Sequence, residues 1–277
     1  MKSSKRAMMT RRNSNNFFRT IFTTAVVCGI GIGAYLLVHR GLGNGTAATI
    51  NTDPNKVHTL NYEDPSTLGQ RYLGTRSQIS SIVESYKNEF QTASDSHMRK
   101  LVKEKSKRYF ITAITKNILP YWNGTKFGRK QRTETPQQGH IGSTEFVLGV
   151  LFDLGLNFDY DHWTKQKQFS IMNSLVPTTK LRKTFRNSNL SQLISYLRTS
   201  GRGLYLVYTS DVNFGFLNYA EDTFEFTYAK RGSCVVTEKL DSSPAFAGKK
   251  SFYVVKLSDE GRIISSWVQD KKIRIRN

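Results

Sequence analysis

The chain has 277 residues, 38% of them apolar, with 41 Lys and Arg against 21 Asp and Glu for a formal charge of +20. That apolar share is enough for a core and excludes a chain disordered throughout. Two cysteines exclude a disulfide framework and a cysteine-rich zinc site.

The N-terminal forty residues hold seven of the cations (Lys2, Lys5, Arg6, Arg11, Arg12, Arg19 and Arg40) and no acid. Between Arg19 and Arg40 the run TIFTTAVVCGIGIGAYLLV, residues 20–38, carries no charge. As a helix it covers roughly the 30 Å of a bilayer's hydrocarbon core. Six of the seven cations precede it, so the positive-inside rule predicts a basic cytoplasmic segment at 1–19 and a transmembrane signal anchor at 20–39. A cleaved signal peptide is the alternative reading of the same run. Gly29 and Gly33 have the spacing of a helix-association motif, although glycine is also common in membrane helices. Cys28 follows Val27, where a lipoprotein signal wants Gly or Ala, which leaves Cys234 as the only cysteine beyond the span.

Residues 40–76 are rich in Gly, Thr and Asn without apolar periodicity and read as a linker to one domain at 77–277. The domain opens on helical spacing over 77–119, through Ile79, Ile82, Tyr86, Phe90, Leu101, Tyr109, Ile111 and Ile114. The basic run from Arg99 to Arg108 reads as a solvated helix face. Pro120 is expected to stop the pattern, and a loop follows to Gly139. Residues 143–154 predict a buried helix with Phe146, Val147, Val150, Leu151 and Leu154 on its apolar side and Gly155 past its end. Further helices are predicted at 162–175 and 190–199, the second capped by Ser188 or Asn189 and ended by Gly201. The period then shortens to strands at 203–209, 213–219, 223–229, 233–239 and 251–257. Helices followed by strands predict an α+β domain with an antiparallel sheet.

Chemistry-bearing patterns are few. His58, His97, His140 and His162 lack metal-ligand spacing, so no metal or cofactor is implied. There is no Walker loop and no GxSxG elbow. One stretch does stand out: PYWNGT (120–125), followed by GHIGSTEFVLGVLFDLG (139–155), places Ser143 at the start of a buried helix. There a helix dipole lowers a nucleophile's pKa and backbone N–H groups can hold an oxyanion. The bland reading of Ser143 is a helix N-cap.

This stretch resembles the NlpC/P60-type branch of the papain-like cysteine peptidases. It is closest to a bacterial subgroup with the pattern PYW-x-GT followed by P-x-x-G-x-I-x-C-x-x-FV-x-x-x-L-x-x-x-G. Tyr121, Trp122, Gly124, Thr125, Pro136, Gly139, Ile141, Phe146, Val147, Leu151 and Gly155 meet it. The resemblance runs over residues 109–257 and implies N-terminal helices packed on an antiparallel sheet. It puts the family's nucleophilic Cys at Ser143 and the His of an H-x-G motif at Asn213, before Gly215. The third polar residue falls near Tyr228. Asn213 has no titratable nitrogen and cannot serve as a base, so the triad is degenerate. His140, three residues before Ser143, is the only nearby imidazole in sequence.

The resemblance implies a pseudoenzyme on the outer face of a bacterial inner membrane, binding a cell-wall peptide or an envelope protein. Tyr121, Trp122, Ser143, Asn213 and Tyr228 would line the inherited cleft, with Trp122 stacking on ligand or filling the core. An active cell-wall amidase or peptidase using Ser143 and a structural subunit of an envelope complex are the alternatives. Asn44, Asn123 and Asn189 lie in Asn-x-Ser/Thr sequons, which matter only in a eukaryotic secretory pathway. Discounting the seven anchor-flanking cations leaves 34 against 21 acids, a basic domain suited to peptidoglycan or another anionic envelope polymer rather than to nucleic acid.

Overall fold

The computed structural model describes residues 65–276. The basic segment and the membrane-spanning reading of 20–39 lie outside the described residues. Among the described residues no helix is long and apolar enough to cross a membrane.

Helix α1 (Pro65–Thr92) and helix α2 (Ser96–Thr112) form a hairpin. Asp95 caps α2, its carboxylate accepting the Met98 N–H at 2.8 Å. Tyr72 and Ile79 of α1 are buried with Val102 and Phe110 of α2. The fold therefore begins before residue 77: the end of the expected linker is the start of α1, with Pro65 in its first turn. Nor does Pro120 stop the helical run. A π-helical turn (Ala113–Ile118) leads directly into α3 (Leu119–Trp122), and Pro120 sits in that short helix. The wide turn closes on a Leu119 N–H to Ile114 carbonyl bond, next to a residue that has no N–H to give.

Two short strands, β1 (Lys126–Phe127) and β2 (His140–Ile141), pair in parallel. Helix α4 (Ser143–Asp153) follows, and Gly155 ends it at φ +91°. The expected helix at 162–175 is two pieces, α5 (Tyr160–Thr164) and α6 (Gln168–Leu175). Strand β3 (Arg182–Ser188) comes next, then α7 (Leu190–Ser200), which starts on a capping box between Asn189 and Gln192.

The remaining strands are β4 (Gly203–Thr209), β5 (Phe214–Ala220), β6 (Thr223–Ala229), β7 (Val235–Lys239) and β8 (Lys250–Lys256), before α8 (Gly261–Val268). They join β3 in one six-stranded sheet of order β3-β8-β4-β5-β6-β7, antiparallel at every pairing. The domain is a mixed α+β structure on an antiparallel sheet.

Alternation along the strands sends apolar side chains to both faces. Leu204, Leu206, Phe214, Phe216 and Val255 pack with α4, α6, α8 and the α1–α3 helices. Tyr205, Val207, Leu217, Phe226 and Val254 pack with Leu193 and Leu197 of α7 and with Phe246. The result is three layers: a thick helical layer, the sheet, and a thin layer of α7 and the 240–246 segment. Full burial of each such side chain stabilises by about 1.5–3 kcal/mol before conformational entropy is set against it.

Candidate functional site

The PYWNGT segment is a structural joint. Gly124 has φ +86°, a left-handed conformation that glycine adopts without strain. That turn lets the Gly124 N–H donate to the Val235 carbonyl at 2.8 Å, while the Val235 N–H donates to Thr125 O at 2.8 Å. Thr125 is fully buried, and its hydroxyl accepts the Gln137 N–H at 2.8 Å. The segment thus fastens α3 to β7 and to the loop that leads to α4. Trp122 fills the core: it lies edge-on to Phe146, centroids 6.1 Å apart, and its Nε1 donates to Tyr72 Oη at 3.1 Å. Tyr121 shares a 3.0 Å hydrogen bond with Thr75 of α1.

Ser143 is the first residue of α4, and Gly142, in extended conformation, is the N-cap. The Ser143 hydroxyl, half-buried, donates to the Ala229 carbonyl at the end of β6, 3.3 Å away. Asn213 lies in the turn before β5, and its amide donates to Thr209 Oγ1 at 3.3 Å. Thr209 pairs with Phe252 and follows Tyr205 and Val207 at two-residue spacing, so Asn213 is turned to the α7 side of the sheet. Tyr228 also belongs to that side, stacked on Phe226 with its hydroxyl donating to Glu238 Oε2 at 3.1 Å. Burial and the Glu238 charge push the Tyr228 pKa upward. His140 is exposed on β2. The sheet therefore brings none of Asn213, Tyr228, Tyr121 and Trp122 into the ring of residues around Ser143.

That ring is a cleft of about 670 Å³ at the start of α4. Phe127 and Val212 give it apolar wall, and Gln166 and Gln168 give it amides. Gln168 Nε2 donates to Thr144 Oγ1 at 2.9 Å, fixing the α6 side against α4. Four cations, Arg129, Lys130, Lys165 and Arg231, line the cleft with a single acid, Glu145.

Glu145 is a site residue that sequence reasoning missed. It is the third residue of α4 and only 8% exposed. Its carboxylate folds back over the helix start, where a methyl on Gly142 would stand 2.2 Å from Glu145 Oε2. Burial pushes its pKa up, while its own backbone N–H and the Lys130 charge pull it partly back. The available signal was its spacing: an acid three residues after the N-cap reaches the unpaired N–H groups of the first turn.

Chemically, the cleft can hold an anion or a polar chain. Deprotonating Ser143 would need a base within hydrogen-bond reach, and the hydroxyl is given to a carbonyl instead. Among the described residues no group of His, Cys, Asp and Glu is arranged to hold a metal ion. The chain matches no family model, no curated protein and no solved structure.

Proposed function

We propose that this chain is a membrane-anchored binding protein with a catalytically degenerate NlpC/P60-like domain, taking up a cell-wall peptide or an envelope partner beside Ser143. One observation carries the reading. A hydroxyl residue starts a buried helix packed on an antiparallel sheet, at the mouth of a cleft, with its proton given to the Ala229 carbonyl. Asn213 and Tyr228, which the motif aligns with the family's base and third polar group, are turned to the α7 side of the sheet and occupied with Thr209 and Glu238. An attacking serine without its base loses several orders of magnitude in rate, so binding is the activity that such a site retains. The anchor at 20–39 and the outward-facing domain complete the proposal, on the charge pattern described above.

Incubation of the full chain with muropeptides tests it. Binding without turnover is the expected result. Stem-peptide cleavage that disappears in Ser143→Ala would overturn it in favour of a working hydrolase.

A further inference from the structure

The cleft beside Ser143 carries more charge than a neutral peptide needs. Of its four cations, Arg129, Lys165 and Arg231 make no ion pair and no side-chain hydrogen bond among the described residues. Lys130 is within electrostatic reach of Glu145, whose carboxylate is already turned onto its own backbone N–H. The three free cations come from separate parts of the chain: the loop after β1, the end of α5, and the turn between β6 and β7. The fold converges them on one concavity, where charges of one sign focus the field on an approaching anion.

We propose that the ligand of this cleft is an acidic peptide, its carboxylates held by Arg129, Lys165 and Arg231. The assignment rests on the reading that the cleft is a binding site, and it names what enters. Two guanidinium groups offer planar forks that match carboxylates. Gln166, whose amide reaches the carbonyl and ring of His162 in α5, has a group suited to a peptide backbone. Phe127 and Val212, the latter 46% exposed, supply apolar wall for the side chains between the carboxylates. A bare phosphate polymer would use the cations and leave the amide and apolar walls idle.

The test is fluorescence anisotropy on the full chain with a labelled, alternating Glu-Ala hexapeptide and its Gln-Ala counterpart, with tripolyphosphate as competitor. The acidic peptide should bind about tenfold or more tightly than the neutral one, and the difference should shrink with added salt. The double variant Arg129→Gln/Arg231→Gln should lose about tenfold for the acidic peptide with its melting curve unchanged. Lys271→Gln/Lys272→Gln, on the C-terminal tail, should bind like the parent and so exclude a general effect of net charge. Equal binding of the two peptides would overturn the acidic assignment while leaving the cleft a peptide site. Tripolyphosphate binding tighter than the peptide, and lost in the Arg129/Arg231 variant, would overturn it in favour of a phosphate ligand. Binding of neither peptide nor tripolyphosphate would overturn the cleft as a binding site altogether.

Discussion

Tyr72, early in α1, donates its phenol hydrogen to the carboxylate of Asp153, the last residue of α4. The same hydroxyl accepts from Trp122 Nε1, and Arg76 Nη2 reaches the other Asp153 oxygen at 3.1 Å. One buried phenol thus joins the first helix, the PYW segment and the helix that begins at Ser143.

Tyr72→Phe leaves both Trp122 Nε1 and Asp153 short of a partner and should cost about 1–3 kcal/mol in urea unfolding. The cost should depend on pH. Burial raises the Asp153 pKa, with the Arg76 charge and the Tyr72 hydrogen bond pulling it back. A raised folded pKa means that this group's contribution is complete below the ordinary 3.8 and is lost as pH rises through the folded value. Because the hydroxyl favours the ionised carboxylate, its removal should hurt more at neutral pH than near 3.8. An equal penalty at both would remove Asp153 from the explanation.

Gly215→Ala should be among the most damaging single substitutions in the sheet. A methyl there would stand 2.3 Å from the Thr227 carbonyl oxygen and 2.7 Å from Tyr228 Cβ. Backbone of the paired strand cannot yield as a flexible side chain does, so the penalty should reach about 3 kcal/mol or leave the protein insoluble. Thermal unfolding of the soluble fraction measures it.

Installing the peptidase nucleophile and base in their family positions, Ser143→Cys with Asn213→His, should not produce stem-peptide hydrolysis. The side chain at 213 is directed to Thr209 on the α7 side, whereas Ser143 starts α4 and reaches the carbonyl at the end of β6. An imidazole at 213 directed as Asn213 is would point at Thr209 and not at a thiolate formed at the helix start. Turnover of muropeptides by the double variant, followed by mass spectrometry, would contradict this geometry.

Much of the architecture was legible because the core strands are short β-branched and aromatic runs set between polar or Gly-containing turns. GLYLVYT and TFEFTYA need no tertiary information to be read as strands, and Gly155 and Gly201 end their helices at φ +91° and +84°. The misreadings have local causes. Strand β3 is RKTFRNS, in which only Phe185 and Ser188 are buried, so an edge strand carried almost no apolar signal. Helix α1 opens with Leu68 and Tyr72 separated by polar residues and followed by Gly74, which imitates a linker. Helix α8 has Ile263, Ile264, Trp267 and Val268 buried at helical spacing, a signal only eight residues long after the last strand. At the site, Ser143 could be placed from sequence because it starts a helix. The directions of Asn213 and Tyr228 depend on the pleat of β5 and β6, which a motif alignment does not carry. The cations of the cleft are scattered from residue 129 to residue 231 and become one feature only in the folded chain.

Lys256, 5% exposed, is held by the Ser200 carbonyl at 2.6 Å and by Asp259 at 2.7 Å. Burial pushes the Asp259 pKa up, but hydrogen bonds and charges from Lys256 and Lys107 outweigh it and hold the carboxyl below 3.8. This contribution is present above 3.8 and is lost as pH falls through the folded value. Asp259→Asn should cost about 1–3 kcal/mol at neutral pH, less than a fully orphaned buried charge because Ser200 remains. The difference from the parent should vanish in acid, which unfolding curves across that range will show.

Strand β8 lies between β3 and β4, although it is the last strand to be synthesised. Until it is available, β3 has no neighbour in the sheet, and β4 presents an open edge that includes Tyr205 and Val207. Such an edge invites pairing with other chains. Final closure of this sheet therefore waits until residues 250–256 have left the ribosome, and a chain truncated before residue 250 should yield an aggregating product rather than a shortened domain.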